Sequence, residues 1–253
     1  MNTVDTRPRA VTWPPRLAAV AVALLLWWIL TDLVAGPDSL LHEFGPHHVP
    51  GAVGQLLDRG VLLPDIAVSM RRLLVGLLIA VTVGVPLGLL LGLRPGVEHA
   101  VAPVVQFLRM ISPLSWAPIT VALFGIGNQP VIFLVAAASV WPIVLNTAAG
   151  VRAIDSGLLL VARSFGASRR EQLSAVILPA IRGQVQTGIR IGLGIAWVVL
   201  VPAEMLGVRS GLGYQILNAR DQLAYDQVMA VIVVIGVIGY ALDTLSRVAL
   251  ARR

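Results

Sequence analysis

Long runs without a charged residue govern what this chain can become. Leu73 to Leu93 and Val131 to Val151 contain no Asp, Glu or Arg at all. A helix rises about 1.5 Å per residue, so either run reaches across a hydrocarbon core roughly 30 Å thick. Four further segments qualify or nearly qualify: Leu17 to Ala35, Val101 to Gly125, about Val185 to Gly207, and about Val228 to Leu250. The last is cleanly apolar only from Val228 to Leu242. Apolar residues are 57% of the chain and charged ones 13%, about half the charged share of a soluble domain. The fold class expected is an all-α membrane protein with about six transmembrane helices, because helices satisfy their own backbone inside lipid.

Every basic residue besides histidine is an arginine, and the arginines sit between apolar blocks rather than on one polar face. That placement excludes a nucleic-acid surface and instead sets topology through the excess of basic residues on the cytoplasmic side. With the N-terminus inside, twelve arginines face the cytoplasm: 7, 9, 16, 94, 152, 163, 169, 170, 182, 247, 252 and 253. Five face out: Arg59, Arg71, Arg72, Arg209 and Arg220. Both termini are therefore expected in the cytoplasm of a multi-pass protein of the plasma (inner) membrane. The divisions expected are a tail (1–16), a first transmembrane helix (17–35), an outer loop (36–72), a transmembrane core (73–250) with the connection 152–182 inside it, and a short tail (251–253). Within the outer loop, Leu62 to Met70 suits a surface helix leading into the second span. Arg7, Arg9 and Arg16 before Leu17 to Leu30 resemble the start of a signal peptide, but no clear cleavage site follows, so an uncleaved anchor is expected. With no cysteine, thiolate metal sites and cysteine nucleophiles are excluded.

Pro86, Pro113, Pro118, Pro142 and Pro202 lie in or beside the spans and should bend them. Gly84, Gly88, Gly92, Gly188, Gly192 and Gly194 supply small surfaces on which helices can approach closely.

The connection 152–182 is far longer than the usual link between bundle helices. Leu158, Val161, Ala162 and Phe165 recur at helical spacing, predicting a short amphipathic helix over Ser156 to Phe165 that Gly166 stops. Ser168 and Glu171 have the spacing of a capping box for a second short helix with Leu173, Val176 and Ile177 on its apolar face and Pro179 at its end.

Val161-Ala162-Arg163-Ser164-Phe165-Gly166-Ala167-Ser168, followed by Val176-Ile177-Leu178-Pro179, resembles the signature loop of ABC importer permeases. Leu160 departs from that pattern, which has a glutamate there, and Glu171 is too far along to replace it. Ser69-Met70-Arg71-Arg72, Gly84-Val85-Pro86-Leu87-Gly88, Ile111-Ser112-Pro113-Leu114-Ser115-Trp116-Ala117-Pro118, Trp141-Pro142, Pro202-Ala203-Glu204 and Gly211-Leu212-Gly213-Tyr214 resemble the nitrate/sulfonate/taurine/cyanate-type branch of binding-protein-dependent permeases. The resemblance implies a type I ABC importer permease fold with a cytoplasmic coupling helix. It implies ATPase contact through Ala162, Arg163, Ser164, Phe165, Gly166, Ala167, Ser168, Arg169, Arg170 and Glu171. It also implies two permease chains, cytoplasmic ABC ATPase subunits that bind ATP and Mg, and an extracytoplasmic substrate-binding protein. This chain would bind no cofactor or nucleic acid itself; its other partner is lipid.

Arg109 lies about eight residues into the third span, where a charge is costly enough to mark a functional candidate. Its planar donors would suit a small oxyanion, although a snorkelling or carbonyl-paired arginine is an equal alternative. Ser112, Ser115, Asn146 and Thr187 could face a pathway or bond between helices, and Trp116, Trp141 and Trp197 could line it or pack the bundle. Glu204, near the outer end of the fifth span, fits either a pairing contact across the bundle or a latch at an outer gate. His42, His47 and His48 with Glu43 could suggest metal, but the surrounding Gly45, Pro46 and Pro50 favour a solvated loop, and no metal is expected. A chain without lysine has no G-x-x-x-x-G-K phosphate loop, so ATP binding is expected on a partner. The leading expectation is the transport subunit of an ATP-driven importer for a small anionic nutrient, not an enzyme. The alternatives are a membrane enzyme using the outer histidines and an ion-gradient-driven secondary transporter.

Overall fold

The computed structural model describes residues 13–34, 36 and 39–251; the remaining parts of both expected tails lie outside these. Among the described residues, eleven α-helices run in the order α1 (Trp13–Trp28), α2 (Val49–Asp58), α3 (Leu62–Leu93), α4 (Pro95–Met110), α5 (Ala117–Phe124), α6 (Asn128–Arg152), α7 (Ser156–Ser164), α8 (Arg169–Glu171), α9 (Leu178–Gly207), α10 (Leu212–Asp221) and α11 (Tyr225–Ala251). Among the described residues, five helical runs are long and apolar enough to cross a membrane. α4 and the segment Pro113–Phe124 reach that length only together, bent by 83° at the break, as a broken span or a re-entrant loop does.

The centre of the bundle is α6. Its first neighbour, α3, carries Gly76, Gly84, Gly88 and Gly92 at multiples of four residues, which places them on one helix face. Opposite them stand Val135, Ile143, Thr147 and Val151 in the same order, so the two helices run parallel with a small-residue groove receiving a β-branched ridge. On its other side α6 meets α9 antiparallel, with Gly188 against Asn146 and Gly192 against Ser139. In lipid there is no hydrophobic drive between helices, so this closeness is what holds them. A Cβ on Gly88 would lie 2.6 Å from the Val144 carbonyl oxygen, which the α6 backbone cannot yield. Gly88→Ala is expected to cost about 1–3 kcal/mol by overpacking. Gly96→Ala, where a Cβ meets nothing within 4 Å, should leave the thermal unfolding midpoint unchanged or slightly raised.

Two expected boundaries shift, and one expected helix is part of a longer one. The helix expected over Leu62 to Met70 in the outer loop runs without a break into the second span as α3, which at 32 residues is about 48 Å long and overruns the hydrocarbon core. α2 occupies another part of that loop and packs Ala52 and Leu56 against Leu212, Ala230 and Val231 of α10 and α11. The third span is not one helix. Pro113 forces its predecessor Ser112 into an extended conformation (φ −58°, ψ 128°), and α4 stops at Met110 before a 3₁₀ turn over Pro113–Trp116. Finally, Pro179 does not end the second short helix of the connection. Residues Gln172–Ile177 bond in π fashion, with Leu178 N–H donating to the Leu173 carbonyl, and the helix continues into α9. The wider turn lies where the proline ring would crowd the carbonyl four residues back, at Ala175, so the helix bends rather than breaks.

Pro86, Pro142 and Pro202 stay inside continuous helices. Asp243, just past the clean part of the last span, lies 2.7 Å from Arg247 and 3.6 Å from Arg190, which lets charges on α9 and α11 share one depth. α1, extended by a π turn over Ile29–Val34, is set apart: nearly all its described side chains are exposed, and Trp27 Nε1 donates to the Phe44 carbonyl at 3.0 Å near its end.

Candidate functional site

Three constellations are candidates for function, one at each end of the bundle and one at the bend between α4 and α5. The connection 152–177 lies at the end where α3 and α6 finish and α9 begins. Asp155 starts α7, its side chain accepting from Gly157 N–H at 2.8 Å. α7 ends at Ser164, and Gly166 follows at φ +77°, a conformation that glycine adopts without penalty. Ala167 N–H then donates to the Ala162 carbonyl at 3.0 Å, closing the helix end. The capping box is present: Ser168 Oγ accepts from Glu171 N–H, and Glu171 Oε2 accepts from Ser168 N–H at 2.7 Å. These local bonds hold a rigid corner while leaving apolar side chains uncovered. Phe165 is 87% exposed, and Leu158, Leu160 and Val161 on α7 are more than half exposed. Beneath the corner, Val151, Ile177 and Ile181 are buried and join it to α6 and α9.

At the other end, α3 presents Asp65, Ser69 and Arg72 on one face, spaced four and three residues apart. Arg72 is 1% exposed and Glu204 of α9 is fully buried, with Arg72 Nη1 donating to Glu204 Oε1 at 2.7 Å. Arg72 also donates from Nε to Asn128 Oδ1 (2.8 Å), from Nη1 to the Ser210 carbonyl (2.7 Å) and from Nη2 to Ser210 Oγ (2.8 Å). Glu204 accepts from Ser69 Oγ at 2.9 Å and from Gly213 N–H at 3.0 Å. Ser69 Oγ in turn accepts from Leu212 N–H (2.9 Å), and Asp65 Oδ1 from Gly211 N–H (2.7 Å). The first amides of α10, which have no partner within their own helix, are thus capped by oxygens from α3 and α9. Gly211 (φ +102°) is required here, because a Cβ would strike Glu204 and lie 2.7 Å from Arg72 Nη1. Four separate segments are tied by one charge pair whose hydrogen-bonding groups are nearly all used.

A cavity of about 590 Å³ opens at the bend between α4 and α5. Arg109, Trp116, Phe133, Trp141, Asn146 and Ile195 are among its lining residues, and its volume is that of a small-molecule pocket. Irregular backbone at membrane depth is tolerated where it is buried or borders water, and Ile111, Pro113 and Trp116 of the irregular stretch line this cavity. Arg109 is exposed toward it in the last turn of α4, with no ion pair among the described residues. Asn146 donates its side-chain N–H to the Pro142 carbonyl at 2.8 Å.

Of the residues singled out in the sequence, Arg109, Trp116, Trp141 and Asn146 converge on this cavity. Ser112 and Ser115 sit in the bend beside it without lining it, and Thr187 donates to the Gly183 carbonyl of its own helix. Trp197 packs against both apolar clusters that flank it and against Gly239 of α11. Glu204 belongs to the buried cluster at the bundle end. Sequence reasoning placed Arg72 among the exposed arginines and so overlooked it. The available signal was the 65-69-72 spacing, together with an unmatched carboxylate at Glu204 that needs a cation at its own depth.

Residues 84–253 match the family model described as "Binding-protein-dependent transport system inner membrane component". The taurine transport system permease protein of Escherichia coli (strain K12) is 34% identical over 248 residues, covering 94% of this chain and 87% of the relative. The nitrate import permease protein of Synechococcus elongatus is 31% identical over 248 residues, covering 94% and 88%. The fold is similar to a chain of the inward-facing MetNI methionine ABC transporter, with a TM-score of 0.62 and 21% identity over 75% of this chain and 94% of that one. With a capped, exposed corner at one end of a bundle of five or six candidate spans, and with these relatives along more than nine-tenths of its length, the chain belongs to the family of binding-protein-dependent transport system inner membrane components, and it is the multi-pass permease component of an ABC importer rather than a catalytic subunit.

Proposed function

We propose that this permease imports a small nutrient carrying an oxyanion group, as two copies driven by cytoplasmic ATPase subunits and supplied by an extracytoplasmic binding protein. The substrate class is supported by the relatives, whose names give taurine, nitrate and aliphatic sulfonates, all of them carrying planar or pyramidal sets of acidic oxygens. A guanidinium recognises such groups through charge and directional donors together, and Arg109 stands at the cavity without a competing carboxylate. Arg109, Trp116 and Asn146 form the centre of the pathway, with Ser112 and Ser115 shaping the bend beside it.

The observation that carries the coupling role is the corner 162–171. Its backbone is stiffened by a positive-φ glycine and a capping box, while Phe165 projects almost fully into solvent. An exposed phenylalanine, with uncovered Leu158, Leu160 and Val161 behind it and arginines 163, 169 and 170 beside it, suits a cleft in a soluble partner. Ala162 to Glu171 form the contact, and the buried residues Val151, Ile177 and Ile181 transmit its displacement to α6 and α9. The corner and both termini then lie in the cytoplasm, in keeping with the arginine excess at that end. ATP and Mg stay on the ATPase partner.

Gly166→Val tests this role. A Cβ there meets nothing within 4 Å, so the substitution acts through the backbone alone, at a cost of about 1–2 kcal/mol for a left-handed residue. Reconstituted importer carrying Gly166→Val should hydrolyse ATP with substrate accumulation reduced several-fold per ATP. Gly166→Asn, which tolerates positive φ, should retain most coupling. Unchanged accumulation per ATP in the valine variant would remove the corner from the coupling path.

A further inference from the structure

The histidines of the loop after α1 do not disperse into solvent. His42, His47 and His48 each bring one ring nitrogen within 4.8 Å of the others, and Asp32, from the π turn that ends α1, joins them. Asp32 Oδ1 lies 3.1 Å from His42 Nδ1 and 3.5 Å from His47 Nδ1. Ligand bonds of about 2.0–2.1 Å at a tetrahedral ion place neighbouring donor atoms about 3.3 Å apart, so both separations are those of two ligands on one ion. They do not serve as hydrogen bonds for His42. Its Nδ1 and His48 Nε2 are buried and have no hydrogen-bond partner among the described residues, which is costly for a ring nitrogen shut away from water.

From this geometry we propose that Asp32, His42, His47 and His48 form a binding site for one divalent transition-metal ion of the zinc class. Three imidazoles and one carboxylate are a borderline-soft donor set of the kind that favours zinc over magnesium or calcium. Thr31 Oγ1 lies 2.9 Å from Asp32 Oδ2, an outer contact that turns the other carboxylate oxygen, Oδ1, toward the histidines. Gly45 lets the loop close: a Cβ there would sit 2.7 Å from His47 Cε1 and 3.1 Å from Asp32 Oδ2. Binding an ion requires the three ring nitrogens, which lie within 4.8 Å of one another, to draw in to about 3.3 Å. The ion joins α1 to the loop, and Phe44 of that loop stacks against Tyr225 of α11 with ring centroids 5.4 Å apart. The site therefore ties the otherwise uncovered first helix to the permease core.

The test uses the assembled importer, purified through a tag free of histidine, stripped with chelator and titrated with Co²⁺ and then Zn²⁺. The expected result is one Zn²⁺ per permease chain, with Co²⁺ giving the visible absorption of a tetrahedral site. His47→Ala/His48→Ala should weaken Zn²⁺ binding by about 100-fold or more, and Thr31→Val by about 10–100-fold. Should the double variant not assemble, the milder His48→Gln is read in the same titration and should abolish the tetrahedral Co²⁺ spectrum. Absence of stoichiometric binding in the wild-type importer, or binding unchanged in these variants, would overturn the site. Neither result bears on whether the importer transports an anion.

Discussion

Arg72→Met is expected to destabilise the folded permease by about 3–5 kcal/mol, because it leaves the fully buried Glu204 carboxylate without its counter-charge. Asn128 Oδ1 and the Ser210 carbonyl lose their donors at the same time. Glu204→Leu should cost a similar amount, stranding the Arg72 guanidinium. The double variant Arg72→Met/Glu204→Leu is the informative one. Removing both charges removes the desolvation penalty with the attraction, so its loss should be well below the sum of the single losses. Arg72→Lys should fall between, since an ammonium cannot reach Asn128, Glu204 and both oxygens of Ser210 with one planar fork. Thermal unfolding midpoints of the detergent-purified chain, with the amount recovered from membranes, measure all four. Additive losses in the double variant would mean that the two side chains are not coupled and that the bundle end is held by apolar packing alone.

Arg109→Met should nearly abolish uptake while the complex assembles in normal amount. Losing a charge-assisted hydrogen bond to an anion removes about 1.5–3 kcal/mol, or roughly ten- to hundredfold in affinity. No carboxylate among the described residues depends on Arg109, so the fold should not register the change. Uptake of radiolabelled anion by reconstituted vesicles, measured beside the ATPase rate and the yield of complex, separates the two effects. Arg109→Lys keeps the charge and should retain partial uptake. Full uptake by the methionine variant would take Arg109 out of the pathway and leave the cavity at the bend a packing defect.

Much of the corner over 162–171 could be read in one dimension because its determinants are local. Ser168 and Glu171 are three residues apart, and Gly166 adopts its positive φ within its own turn, so short-range spacing captures both. Pro179 shows the limit of that reading. A proline is a strong stop in isolation, yet a π turn one step earlier absorbs it, and nothing in the local residues distinguishes the two outcomes. The third span shows a related limit: Pro113 and Pro118 mark a bend there, but hydropathy averaged over Val101 to Gly125 does not separate a kinked helix from one divided by extended backbone at Ser112.

By itself, the sequence determined the all-helical class and the multi-pass character, since lipid leaves a backbone few alternatives and long uncharged runs mark what can leave water. Only the tertiary structure decided which polar residues meet. Asp65, Ser69 and Arg72 share a helix face by their spacing, but whether that face looks toward lipid, water or Glu204 depends on how α3, α9 and α10 pack. The same holds for Arg109, Trp116 and Asn146 around one cavity and for Asp32 beside His42 and His47. Partners far apart in the chain are chosen by helix rotation and close approach. Those are set by the glycine stripe on α3 against α6, a contact whose register becomes visible only when both helices are in place.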